Sequence, residues 1–287
     1  LALKYHLSDN ERLTEQMLRK LLRDNKNKLN TGFVGTPLLC NVLTEHGMTD
    51  LAYRLLLNEE YPGWLHEVKL GATTVWERWN SLDENGRISS TGMNSLNHYS
   101  YGAVLEWIFR HVAGIDVTEQ GPGGKMMRIS PKVDYKLGSA SAVYDSASGC
   151  YRCGWQIANG DQITVTVTVP FGAKAQVILP YAPDSVYHDT DNPLFETVEN
   201  GICCVKAGQY TVTYKAASPL KKSYSVDSTL EDLLAEPAIR AFLSNMMEVD
   251  MIPDLAYGLT LRQAAEAFAG GVSAEQAQRL NVLLEEF

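Results

Sequence analysis

The residues best suited to chemistry lie in the run Gly71-Ala72-Thr73-Thr74-Val75-Trp76-Glu77-Arg78-Trp79-Asn80, where a carboxylate sits between two indoles and beside a guanidinium. Four of the five tryptophans (Trp64, Trp76, Trp79, Trp107) fall between residues 64 and 107, and Tyr61, Tyr99 and Tyr101 lie in or beside that window. Sugar rings offer apolar faces that stack on aromatic side chains and hydroxyl rims that need carboxylate or amide partners. A carboxylate in a desolvated aromatic pocket also has a tunable pKa, which general acid–base work requires. On this reading Glu77 belongs to a glycan-cleaving site. The competing structural reading is a helical Glu, with Arg78 as a solvent-side neighbour and both indoles in the core.

The elements around this run read as short helices. Ser8 with Glu11 has the form of a capping box, followed by Leu13, Met17, Leu18, Leu21 and Leu22 at helical spacing. Thr36-Pro37 opens a second helix, which carries Leu38, Leu39, Val42 and Leu43 and stops at Gly47. A third runs from Thr49 to the break at Tyr61-Pro62-Gly63, and a fourth covers 64–70. Glu77 is expected on or near the start of a fifth. Beyond the polar loop Asp83-Glu84-Asn85-Gly86, Val104, Leu105, Ile108, Phe109 and Val112 mark a sixth, ended by Gly114. Helical hairpins of this kind suggest a bundle or about half of a twelve-helix α/α barrel.

After the linker Gln120-Gly-Pro-Gly-Gly124 the period falls to two, as in Gln162-Ile-Thr-Val-Thr-Val-Thr-Val169. Further strands are expected at 126–130, 140–145, 151–157, 174–179 and 209–215, forming an antiparallel β-sandwich with Trp155 as a core plug. Past Ser223 the helical period returns. Ser228/Glu231, Thr260/Gln263 and Ser273/Gln276 are candidate capping boxes, Pro237 opens a helix, and Met246-Met247 reads as core filler. The expected division is therefore 1–118 helical, 119–222 sandwich and 223–287 a small helical module.

Composition narrows the classes. A length of 287 residues allows roughly two domains. The net charge of −9 argues against nucleic acid or an anionic membrane as partner. No apolar run reaches the ~18–20 residues that span a bilayer. These features suggest a soluble protein, cytoplasmic in preference to secreted. Five cysteines are too few for a disulfide framework. Cys150-Tyr-Arg-Cys153 has metal-like spacing without a second such pair, and Cys203-Cys204 reads as adjacent strand residues, so neither a metal nor a cofactor is expected. The chain opens on Leu with no signal segment before it, as a processed or truncated piece would.

The runs Thr31-Gly-Phe-Val-Gly-Thr-Pro37, Tyr61-Pro-Gly-Trp64, Gly71-Ala-Thr-Thr-Val-Trp-Glu-Arg-Trp79 and Ser95-Leu-Asn-His-Tyr-Ser-Tyr-Gly102 resemble, in order and spacing, the bacterial α-L-rhamnosidase family. The resemblance covers about residues 1–215. It implies the second half of a catalytic (α/α)6 barrel, the β-sandwich that follows it, and an inverting two-carboxylate hydrolysis of rhamnose-containing glycosides or polysaccharide side chains. It further implies that Glu77 is the general base, that His98 contacts rhamnose hydroxyls, and that Trp76, Trp79 and Trp64 help to bind the sugar. On a purely structural reading, His98 caps the helix that starts nearby. The family's acid-bearing motif stands upstream of its base, and no counterpart precedes Glu77 in this chain. Glu59, Glu60 and Glu67 match no part of that motif and read as solvated helix-face charges. The expected parent therefore has a missing N-terminal barrel half, which would leave Leu13, Met17, Leu21 and the aromatic cluster around Trp76 only partly covered. The competing classes are a non-catalytic carbohydrate-binding or scaffold protein derived from such a barrel, and an α/α-barrel hydrolase for another sugar.

Overall fold

A computed structural model describes residues 1–287 except Glu84, Ser90, Thr91, Gln120, Thr190, Ala269, Glu286 and Phe287. Glu84 of the expected polar loop and Gln120 of the expected linker thus lie outside the described residues. Two compact units emerge: Leu1–Gln16 with Lys28–Lys221, and Met17–Asn27 with Lys222–Phe287.

The first unit begins with helices. Helix α1 (Glu11–Asp24) starts from Asn10, whose side-chain oxygen accepts the Leu13 N–H at 3.0 Å. The expected Ser8/Glu11 box does not form, because Glu11 turns to His6 at 2.6 Å instead. Pro37 in the first turn and Gly47 in the left-handed region bound α2 (Thr36–Glu45). Then follow α3 (Thr49–Leu56) and α4 (Trp64–Lys69). No helix holds Glu77: residues 71–80 are turns, bends and irregular chain, which corrects the expected fifth helix. The β-branched run Thr73-Thr74-Val75 is a poor helix former. The sixth helical stretch changes its winding as it goes, from a 3-10 turn (Ser100–Ala103) through α5 (Val104–Trp107) to a π turn (Ile108–Val112).

Two sheets follow. Strands β1 (Ile115–Val117), β2 (Met126–Ile129), β6 (Lys174–Ile178), β7 (Val198–Glu199) and β8 (Ile202–Val205) form one, in the order β1-β2-β6-β8-β7. The other is the meander β3 (Ser139–Ser146), β4 (Gly149–Ala158) and β5 (Gln162–Val169), closed by β9 (Gly208–Lys215). Strand β5 buries Ile163, Val165, Val167 and Val169 and leaves its threonines less covered, as period two requires. The sheets are tied together where the Tyr151 hydroxyl on β4 meets the Lys174 carbonyl on β6 at 3.1 Å. Trp155 is buried, and its indole N–H donates to the Val112 carbonyl at 2.7 Å, so it plugs the core as expected. One pairing departs from an antiparallel sandwich: β2 and β6 are parallel. Cys203 is buried and Cys204 exposed, and Cys150 and Cys153 likewise differ in burial along β4.

The second unit has its own core, built from Leu230, Leu233, Ile239, Leu243, Leu261 and Leu284 among others. Its helices are α6 (Leu230–Ala235), α7 (Pro237–Ser244), α8 (Leu261–Phe268) and α9 (Ala274–Glu285). Thr260/Gln263 and Ser273/Gln276 form reciprocal capping boxes with bonds of 2.9–3.2 Å. The third cap sits one residue later than expected, with Thr229 accepting from the Asp232 N–H. Met246 and Met247 are not core filler; both are open to solvent and line an apolar pocket of about 420 Å³. From Met17 onward α1 belongs to this unit, with Arg23 4.2 Å above the Tyr257 ring and 3.5 Å from both Glu231 and Asp254.

Candidate active site

Glu77 is placed where residues 74–77 and 95–98 bond to each other in antiparallel order. The Thr74 hydroxyl donates to the Leu96 carbonyl, the His98 N–H to Val75 at 2.8 Å, and the Glu77 N–H to Ser95 at 2.9 Å. The Ser95 N–H returns a bond to Glu77 Oε2 at 2.7 Å. One carboxylate oxygen is therefore fixed by the Ser95 backbone while the side chain stays half-buried. Below it, Ser81 locks the turn: it accepts the Arg78 N–H at 3.1 Å and donates to Asn94 at 2.6 Å.

His98 lies in the middle of a ring stack, with Phe33 4.9 Å away on one side and Tyr99 5.1 Å away on the other, both nearly parallel to it. Its Nδ1 accepts the Ser100 N–H at 3.3 Å. In the neutral ring this leaves the hydrogen on Nε2, which is then a donor at the ring edge. The structural reading of His98 is thus met in part, since it does hold the first N–H of the following turn. That bond occupies one nitrogen and leaves the other for a ligand.

Trp79 stacks on Tyr101 at 3.9 Å and meets Trp64 edge-on at 5.5 Å. The Trp79 N–H donates to the Thr31 carbonyl and the Trp64 N–H to the Tyr101 carbonyl, each at 3.0 Å. Trp76 is only 3% exposed. The expected partial cover of this cluster is corrected, because Trp64, Trp76 and Trp79 are all buried, with Trp64 and Trp79 packed edge-on and their indole N–H groups bonded to backbone carbonyls. These contacts bring the four sequence motifs together. Thr31 meets Trp79, Phe33 meets His98 and Tyr101, Trp64 meets Tyr101, and Glu77 meets Ser95.

Of the nearby carboxylates, Glu60 pairs with Lys28 at 2.6 Å and Glu59 pairs with Lys69, both at the surface. Glu67 differs from its expected solvated state. It is buried at 3% exposure, and burial pushes its carboxyl up to about 7 against the opposing pull of a backbone hydrogen bond from Trp76. Phe33, Ser95 and Glu67 are the site residues that sequence reasoning missed. Phe33 and Ser95 both stood within quoted motifs, but nothing in the residue pattern marked Ser95 as the partner of Glu77. Among the described residues no group of three His, Cys, Asp or Glu side chains could hold a metal ion. Among the same residues no helix is long and apolar enough to cross a membrane.

Glu77 is half-buried and bonded to Ser95, and His98 is stacked with Phe33 and Tyr99. The bacterial alpha-L-rhamnosidase 6 hairpin glycosidase domain matches residues 1–112, and the bacterial alpha-L-rhamnosidase C-terminal domain matches residues 114–192. The chain belongs to the bacterial α-L-rhamnosidase family. It is 40% identical to an alpha-L-rhamnosidase of Alteromonas sp. (strain LOR) over 69% of its own length and 21% of that protein. It is 39% identical to one from Formosa agariphila over 70% of its length and 21% of that protein. The solved α-L-rhamnosidase of Streptomyces avermitilis, complexed with L-rhamnose, superposes with a TM-score of 0.60 at 35% identity, over 68% of this chain and 19% of that one. The chain thus spans about a fifth of the length of these relatives.

Proposed function

We propose that this chain supplies the base-bearing part of an inverting α-L-rhamnosidase that releases terminal α-L-rhamnose from glycosides or polysaccharide side chains. Glu77 is the base that takes a proton from the attacking water. His98 donates from Nε2 to a sugar hydroxyl. Trp64, Trp76 and Trp79 form the wall that keeps both in place. The observation that carries this reading is that the four motifs contact one another, through Trp79–Thr31, Trp64–Tyr101, Phe33–His98 and the Glu77–Ser95 pair. The rhamnose-complexed relative supports the sugar, and the share of the relatives' length that is covered supports an acid carried on a preceding barrel half. Inversion would place that acid roughly 6.5–9.5 Å from Glu77, with room for water between them.

The test is Glu77→Gln in the protein that carries this chain together with its preceding barrel half. General-base catalysis typically contributes about 10²–10⁴-fold, so turnover of an aryl rhamnoside should fall by at least that range with binding preserved. Unchanged turnover removes Glu77 from the mechanism. Rhamnoside binding without turnover in the unmutated protein would favour the non-catalytic carbohydrate-binding reading. Residues 1–287 alone, without a proton donor for the leaving oxygen, should show no turnover.

A further inference from the structure

Ser81 and Asn94 flank the Glu77–Ser95 contact without being part of it. Ser81 is fully buried, at 0% exposure, two residues after Trp79. Its hydroxyl accepts the Arg78 N–H at 3.1 Å and donates to Asn94 Oδ1 at 2.6 Å. Asn94 Nδ2 returns a bond to the Ser81 carbonyl at 2.8 Å, which fixes the orientation of the amide, because a carbonyl oxygen pairs only with its NH2 end. The same carbonyl accepts the Ser89 N–H at 3.0 Å. Arg78 is the residue after Glu77, and Asn94 is the residue before Ser95, whose N–H holds Glu77 Oε2 at 2.7 Å. These bonds close a ring that runs from Glu77 to Ser95, along the chain to Asn94, across to Ser81, and back through Arg78 to Glu77.

We propose that Asn94, through its two bonds to Ser81, is a positioning residue for Glu77, setting which carboxylate oxygen is tied and which takes the proton. This rests on the role proposed for Glu77. Two bonds leave the Asn94 side chain little freedom to turn, so the N–H of the adjacent Ser95 stays aimed at Oε2. With Oε2 committed to that donor, Oε1 is the oxygen left to take a proton from water. Without the cross-link the Ser95 donor can drift and the carboxylate can rotate. A misplacement on the order of 1 Å at a reacting group costs about a hundredfold in rate. Neither Ser81 nor Asn94 carries a charge or a part in the chemistry, so their effect on turnover passes through Glu77.

The test is a mutant cycle on an aryl rhamnoside, in the protein that carries this chain together with its preceding barrel half. Asn94→Leu, similar in size but without either bond, should lower kcat about ten- to a hundredfold while KM changes less than about threefold. Asn94→Asp still accepts from the Ser81 hydroxyl but cannot donate to its carbonyl, and should fall between the two. In a Glu77→Gln background, Asn94→Leu should have no further effect on kcat, because the group it positions is already disabled. A merely structural role would lower kcat by the same factor in both backgrounds. That equal loss overturns the proposal, as does a kcat within about twofold of the parent in both Asn94 variants. If Asn94→Leu fails to fold, Asn94→Asp carries the same cycle. Failure of the rhamnosidase reading shows separately, as unchanged turnover in Glu77→Gln alone. Amide hydrogen exchange of residues 1–287 then decides the geometry without any hydrolysis. Protection of the Ser95 amide should fall at least about tenfold in Asn94→Leu while Trp155 in β4 keeps its own as a folding control, and unchanged Ser95 protection overturns the proposal.

Discussion

His98 is gripped on both ring faces and at one nitrogen, so removing it has two separable consequences. His98→Ala loses the bond to Ser100 N–H, about 0.5–1.5 kcal/mol of stability, read as a lowered melting temperature. It also loses the Nε2 donor, which should weaken rhamnoside binding in the barrel-complete protein by about 1–3 kcal/mol. A stability loss with unchanged affinity would reduce His98 to its structural role. Glu67 gives a prediction of opposite sign. Its folded value lies above its ordinary 4.5, so the folded state binds the proton more tightly. Stability from this group is full below pH 4.5, declines as pH rises to about 7, and stays lower above it. At 1.36 kcal/mol per unit the penalty above neutrality is on the order of 3–4 kcal/mol. Glu67→Gln should therefore match the parent near pH 4.5 and exceed it in urea stability at pH 8. Glu77 and His98 were legible because they stood in ordered motifs. Glu67 was not, because a lone Glu on a short helix reads as solvated until the neighbouring loop is seen to close over it.

At the level of elements, legibility followed punctuation. Pro37 and Gly47 bounded α2, and the alternation in 162–169 gave β5 residue for residue. Polar residues at two helix starts misled by one or two positions, because Asn10 and Thr229 cap where Ser8 and Ser228 seemed better placed. Glu77 was expected on or near the start of a helix because its bonding partner lies some twenty residues on, and period alone does not show a non-local contact. The same limit hid β1, β7 and the parallel β2–β6 pair, all of them short or paired with strands distant in the chain. The joint between the last π turn and β1 rests on Gly114. Its φ is +81°, and a Cβ there would fall 2.2 Å from the Pro131 nitrogen. Gly114→Ala should cost about 2–4 kcal/mol, since neither the backbone conformation nor the neighbouring backbone can accommodate it. A melting temperature within two degrees of the parent would contradict that.

Across the whole molecule, the stripe Leu13, Met17 and Leu21 remains 50%, 56% and 64% exposed, as expected for a helix face left uncovered. Such a patch should bind an apolar dye, and Met17→Lys with Leu21→Lys should lower that binding by about half or more without unfolding the sandwich. All five tryptophans (64, 76, 79, 107 and 155) belong to the first unit, so their fluorescence reports on it alone. Urea unfolding followed by fluorescence and by far-ultraviolet circular dichroism should give non-coincident curves, and coincident ones would make the two units a single cooperative structure. Helix α1 carries one more consequence. The second unit takes residues 17–27 from near the beginning of the chain and 222–287 from the other end, joined through Arg23 to Tyr257, Glu231 and Asp254. A module assembled from two separated stretches of a gene is not a cassette. It can be neither appended nor deleted by a single cut at Lys222, and any lineage that lost the tail would have had to rewrite the second half of its first helix as well.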